Sequence, residues 1–287
     1  MKGKKKEQGY LTVITANDKR GLNLREVFKY KYLIWLNVGR IFKTKYAQTI
    51  LGPLWFIFQP LLTTLVHTLI FGNLAGLAPD STVVPTFLFY MSANILWLYF
   101  SNCFGITSST FLSHARLFGK VYFPRLTMPI STIISSAIKF FIEFVVFLLA
   151  MVVFYLCGAN IQITWVAILT PLFVLQLGLL AMAVGIIVSA LTVKYRDLQV
   201  LVSFSLQLWM FLTPVVYGLD SIQSTTLQTI ILCNPASAVM ELMRYGWLGV
   251  GSTPWLFWGI SWGVTIAVLL IGILIFNRVE RNFMDTI

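Results

Sequence analysis

The chain has 287 residues, 58% of them hydrophobic and only 11% charged, with a mean hydropathy of +0.83; soluble domains carry about 25% charged residues. That shortage of charge, set in long runs of Leu, Ile, Val and Phe, excludes a water-soluble domain. The formal net charge of +11 does not point to nucleic acid, because twelve of the 21 Lys and Arg precede residue 46 and the rest are scattered between apolar stretches, whereas a nucleic-acid domain gathers its charge on one soluble face.

Residues 1–21 are polar and basic, with no apolar run of the kind found in a cleavable signal peptide. They are expected to form a disordered basic cytoplasmic tail. Segment 22–50 is expected to hold an amphipathic helix, over 24–45, lying in the membrane interface. On that helix Leu24, Val27, Phe28, Ile34, Trp35, Val38, Ile41 and Phe42 share one face, and Arg25, Lys29, Asn37, Arg40 and Lys43 face away. Lys31 interrupts the apolar stripe.

A span needs roughly 20 apolar residues to cross about 30 Å of hydrocarbon. Six stretches qualify, at 54–71, 86–106, 129–157, 163–193, 199–217 and 255–276. The expected fold class is thus an all-α integral membrane protein, a six-span domain over 51–277 followed by a cytoplasmic tail at 278–287. With the N terminus inside, nineteen of the 21 Lys and Arg fall on inner segments, as orientation by loop charge requires. Both termini are then cytoplasmic. The last outer segment, 218–254, is long but too poor in apolar residues for two more spans. It is expected to dip into the outer leaflet as short re-entrant helices, which survive only when protein buries them.

Enzymatic chemistry is hard to find. There is no phosphate loop for ATP and no H-E-x-x-H metal pair, and His67 and His114 lie on different elements. On the outer side Asp80, Asp220 and Glu241 are too dispersed to propose as an acid and base. Cys103, Cys157 and Cys233 lack metal-ligand spacing and read as small apolar residues. Within the third span Lys139 and Glu143 stand at i and i+4, either a self-neutralised pair or the start of an ion relay. A relay would want more buried charge than the other spans supply.

Two polar and aromatic stripes are candidates for a substrate path. Trp55, Gln59, Thr63 and His67 recur every four residues in the first span, and Phe204, Gln207 and Phe211 share a face of the fifth with Pro214. Aromatic faces beside amides suit a sugar, which presents C–H faces ringed by hydroxyls. The same residues would serve ordinary helix packing with interhelical hydrogen bonds.

The order of motifs resembles the membrane-spanning permease subunit of ABC exporters for polysaccharides, the family that exports O-antigen, capsule and teichoic acid chains. The resemblance runs from about residue 22 to the end. It rests on YAQTILGPLWFIFQP at 46–60, LFGKVYFPR at 117–125, VKYRDL at 193–198, the NP pair at 234–235 and RVERNFMDTI at 278–287. It implies a homodimer that recruits two ATP-binding cassette subunits, which bind ATP and Mg, so that this chain holds no cofactor of its own. It also implies a channel for a lipid-linked glycan in a bacterial cytoplasmic membrane, with the helix of 22–50 as its gate. Arg40, Lys43 and Lys45 would then meet the lipid phosphate at headgroup level. Arg116, Lys120, Phe123 and Arg125, in the cationic segment 112–125, would couple to the ATPase. A permease of similar topology for drugs or lipids is the nearest alternative. A glycan-transferring enzyme would need clustered carboxylates or a metal motif, and a secondary transporter would need repeats.

Overall fold

The computed structural model describes residues 29–46, 49–77, 84–113, 124, 126–192, 195 and 197–282. The expected tail at 1–21 lies outside them; of the tail expected at 278–287, residues 278–282 instead continue the last helix, which ends at Asn282, and 283–287 lie outside the described residues. Among the described residues the fold is helical throughout, with no strand.

Helix α1 spans Lys31–Tyr46. Its buried stripe is Ile34, Asn37 and Val38, spaced three and four apart as one helix face requires. Asn37 was expected to face away, and here the structure differs. It sits at the centre of the contact, where its Nδ2 donates to Met128 Sδ at 3.3 Å. A buried amide next to a thioether can be satisfied in this way, so the apolar stripe tolerates it. Trp35 is correspondingly turned outward.

A 3₁₀ turn, Gly52–Leu54, carries Pro53 in its first turn and leads into α2, Trp55–His67. Pro60 lies inside α2 and cannot donate to the carbonyl one turn back. The turn that follows the proline is braced from the side. Asn94 Nδ2 reaches Thr63 Oγ1 and Thr64 Oγ1, both at 3.1 Å, and Pro60 O at 3.4 Å. Beyond His67 the helix widens into a π turn, Thr68–Leu74, a local irregularity often found where helices do more than pack.

Helix α3, Thr86–Ser108, is the buried axis of the molecule. It is flanked by α2, by α4 (Thr127–Leu156) and by α5 (Thr170–Thr192), the last preceded by a 3₁₀ turn at Trp165–Leu169. The core it shares with them includes Leu88, Met91, Leu96, Phe100, Phe147 and Phe173, all essentially inaccessible. Helix α6 is Leu198–Phe211, α7 is Thr225–Cys233, α8 is Ser237–Leu248 and α9 is Trp255–Asn282. Helix α9 packs on α5. Gln176 joins them by donating to Ser261 Oγ at 2.6 Å and accepting from Trp258 Nε1 at 2.8 Å.

Among the described residues four helical stretches are long and apolar enough to cross a membrane: Gly52–Leu74, Thr127–Leu156, Trp165–Thr192 and Trp255–Phe276. Helix α3 occupies the expected second span but carries Ser92, Asn94, Ser101 and Asn102. A helix wrapped in protein can hold such residues, since its neighbours rather than lipid solvate it. Helix α6 has 14 residues, about 21 Å, and so is shorter than the expected 199–217. Segment 218–254 forms the two short helices α7 and α8. Helix α8 is buried along nearly all its length.

Candidate functional site

Helices α2 and α6, which carry the two stripes, both expose apolar faces. Trp55, Phe58 and Leu62 stand open on α2, and Val200, Phe204, Leu208 and Phe211 on α6. Of the stripe residues, Gln59 and Gln207 are exposed, Thr63 is half-buried and His67 is buried. The stripes meet at one end only. The Phe71 ring lies edge-on to His67 at 5.9 Å and to Phe211 at 6.4 Å. Trp55, Phe204 and Gln207 are left exposed.

Gln59 is also tied backward. Its Oε1 accepts from Lys139 Nζ at 3.2 Å, and the same ammonium pairs with Glu143 at 3.3 Å. Lys139 and Glu143 are both buried, and the structure joins them as the i, i+4 pair their spacing allows. The stripe residue Gln59 thus stands at the end of a buried ion pair.

Arg40 and Lys43 are exposed on α1, and Lys45 belongs to the same helix, its side chain outside the described residues. The Phe42 ring meets Phe56 at 5.9 Å, so α1 leans on the foot of α2. Arg116, Lys120, Phe123 and Arg125 lie outside the described residues. Just beyond them Thr127 Oγ1 donates to Pro124 O at 2.8 Å, which fixes the start of α4. Among the described residues no cluster of three or more His, Cys, Asp or Glu could hold a metal.

Sequence reasoning passed over a second ionic centre. Glu241 and Arg244, both on α8, form a salt bridge at 3.0 Å with both side chains essentially inaccessible. Arg244 Nη1 also donates to Tyr217 O at 3.0 Å and Nη2 to Val215 O at 2.9 Å, while its guanidinium lies 3.9 Å over the Phe89 ring. Glu241 Oε2 accepts from Ser252 N at 3.4 Å. Burial pushes the Glu241 carboxyl up from its ordinary range, and the adjacent guanidinium opposes the shift. One helix thereby holds the end of α6, the start of α3 and the entry to α9. The i, i+3 spacing of Glu and Arg in an apolar run was the available signal. Gly246 completes the fit, since a Cβ there would lie 2.9 Å from Ala167 N.

Residues 32–248 match the ABC-2 type transporter family. The chain is 32% identical to the O-antigen export system permease protein RfbA of Myxococcus xanthus over 219 residues, 76% of this chain and 80% of that one. Two proteins of the same name from Klebsiella pneumoniae are 25% and 23% identical, over 85% and 92% of this chain and 90% and 99% of their own lengths. A family match across most of the chain, on a helical fold with four helices fit to cross a bilayer, leaves one assignment: this chain is a member of the ABC-2 type transporter family.

Proposed function

We propose that the chain is the permease subunit of an ATP-driven exporter for a polyprenyl-phosphate- or pyrophosphate-linked polysaccharide, of the O-antigen kind. The observation that carries this is the similarity to O-antigen export permeases over 76% of the chain. The exposed aromatic and amide faces of α2 and α6 support it, since they suit sugar rings better than a purely apolar cargo.

In this reading the chain spans the cytoplasmic membrane six times with both termini inside, α3 and α6 completing the set, and α7 and α8 enter the outer leaflet. Two copies close the faces of α2 and α6 into a channel. Helix α1 is the gate at headgroup level, where Arg40 and Lys43 meet the lipid phosphate. Segment 112–125 docks on two separate subunits that bind ATP and Mg and perform all hydrolysis. The test is deletion of the gene in its own cell, followed by a stain for surface polysaccharide. Loss of the glycan with accumulation of its lipid-linked form inside, restored by the intact gene, is the expected outcome. An unchanged surface glycan refutes the reading.

The path makes a second prediction. Trp55→Ala or Phe211→Ala removes a ring from an exposed face, so folding and ATPase recruitment should stay near the parent's. Export should fall several-fold per molecule of transporter, since each lost ring contact is worth about 1 kcal/mol. Export that falls only in step with protein level makes these rings packing residues.

A further inference from the structure

At the end of the molecule assigned above to the outer face lies a cleft of about 410 Å³, between the turn after α6, the helix α7 and the first turn of α9. That volume is in the range of small-molecule sites. Its lining includes Leu232 and Trp255 on the apolar side and Asp220, Gln228, Ser252 and Thr253 on the polar side.

Each part is held in place by something else. The Trp255 indole stacks on Trp165 at 5.5 Å and 7° and meets Trp258 edge-on at 5.7 Å, while Trp258 is pinned by its bond to Gln176. It is a fixed aromatic plate. Gln228 Nε2 donates to Leu219 O and Ile222 O at 3.1 and 2.8 Å, so its Oε1 is what the side chain has left to offer. Asp220 is exposed. Thr253 is exposed beside it. The floor beneath is rigid. Ser252 N bonds Glu241, and a Cβ at Gly251, whose φ is +96°, would sit 2.8 Å from Glu241 Oε2.

A flat aromatic plate lining one cleft with a carboxylate, an amide and a Thr hydroxyl matches a pyranose, with its C–H face on one side and its hydroxyl rim on the other. We propose that this cleft is a subsite for a glycosyl unit of the exported chain, holding the glycan as it emerges. The proposal rests on the glycan-export reading above. A lipid tail would use Trp255 and Leu232 but would leave Asp220, Gln228 and Thr253 without a role.

The test uses the complete transporter, this chain with its ATP-binding subunits, in nanodiscs. The probe is a set of oligosaccharides cut by mild acid from the producing strain's own surface polysaccharide, with binding measured by saturation-transfer NMR. The parent should bind them. Asp220→Asn and Trp255→Leu should each weaken binding about ten-fold or more, the cost of a lost charged hydrogen bond or plate, and Trp255→Phe should keep most of it. Asp220 is exposed and its substitution should not endanger the fold. Equal binding by parent and both variants, or no binding by the parent, overturns the subsite. If those results arise in a strain whose deletion mutant has lost its surface glycan, only the subsite fails. If the deletion leaves the glycan intact, the export reading itself fails.

Discussion

Arg244→Met is expected to leave little folded protein. The substitution removes the guanidinium from a site with no access to water and leaves the Glu241 carboxylate there without its counter-charge. Breaking a buried pair from one side costs about 3–5 kcal/mol. The carbonyls of Tyr217 and Val215 also lose their donor, at about 1–3 kcal/mol for each buried group left unmet. That sum rivals the whole stability of many domains. The mutant should show a collapsed thermal transition in detergent and a poor monodisperse yield. The double variant Glu241→Leu with Arg244→Met should recover part of the loss, because no charge is stranded, but not all, because the two carbonyls stay unsatisfied. A single Arg244→Met that melts with the parent would show that the bridge holds nothing.

How much of this was readable beforehand depends on what kind of signal each residue gives. The apolar runs placed α2, α3, α4, α5 and α9 close to their observed bounds, because crossing hydrocarbon and packing in a bundle both demand length and hydropathy. The length of α6 was less legible. Residues 212–217 are as apolar as a span, yet the chain leaves the helix at Leu212 and buries Val215 and Val216 under α8. Asn37 was misplaced because polarity was taken for exposure, while the helix period alone put it beside Ile34 and Val38. Arg244 is one of the two Lys and Arg that do not fall on inner segments, and in the sequence a loop cation reports topology and nothing more. Only the fold, by bringing Val215, Tyr217 and Phe89 around it, makes it a structural centre. The stripe on α2 was legible as a period of four. Its link to Lys139 was not, since Gln59 and Lys139 are 80 residues apart and nothing local couples them.

That link separates structure from transport. Lys139→Met alone takes the ammonium away from the Glu143 carboxylate inside a span helix, and Glu143→Leu alone takes the carboxylate away from Lys139. Either should cost about 3 kcal/mol or more and lower the amount of assembled transporter. The double variant Lys139→Met with Glu143→Leu removes both charges and should return thermal stability and ATPase recruitment to near the parent's. What it cannot return is the anchor on Gln59 Oε1, whose side chain would then be free to leave the face it shares with Trp55. Export by the double variant should therefore fall as far as in Gln59→Leu and no further. The triple variant should fall no lower than the double, since residues acting through one contact are not additive. Transport per folded molecule would be read in proteoliposomes at matched protein. A double variant that exports far less than Gln59→Leu would give the ion pair a part of its own in moving the glycan. One that exports like the parent would mean that Gln59 needs no holding, and the stripe on α2 would then be packing.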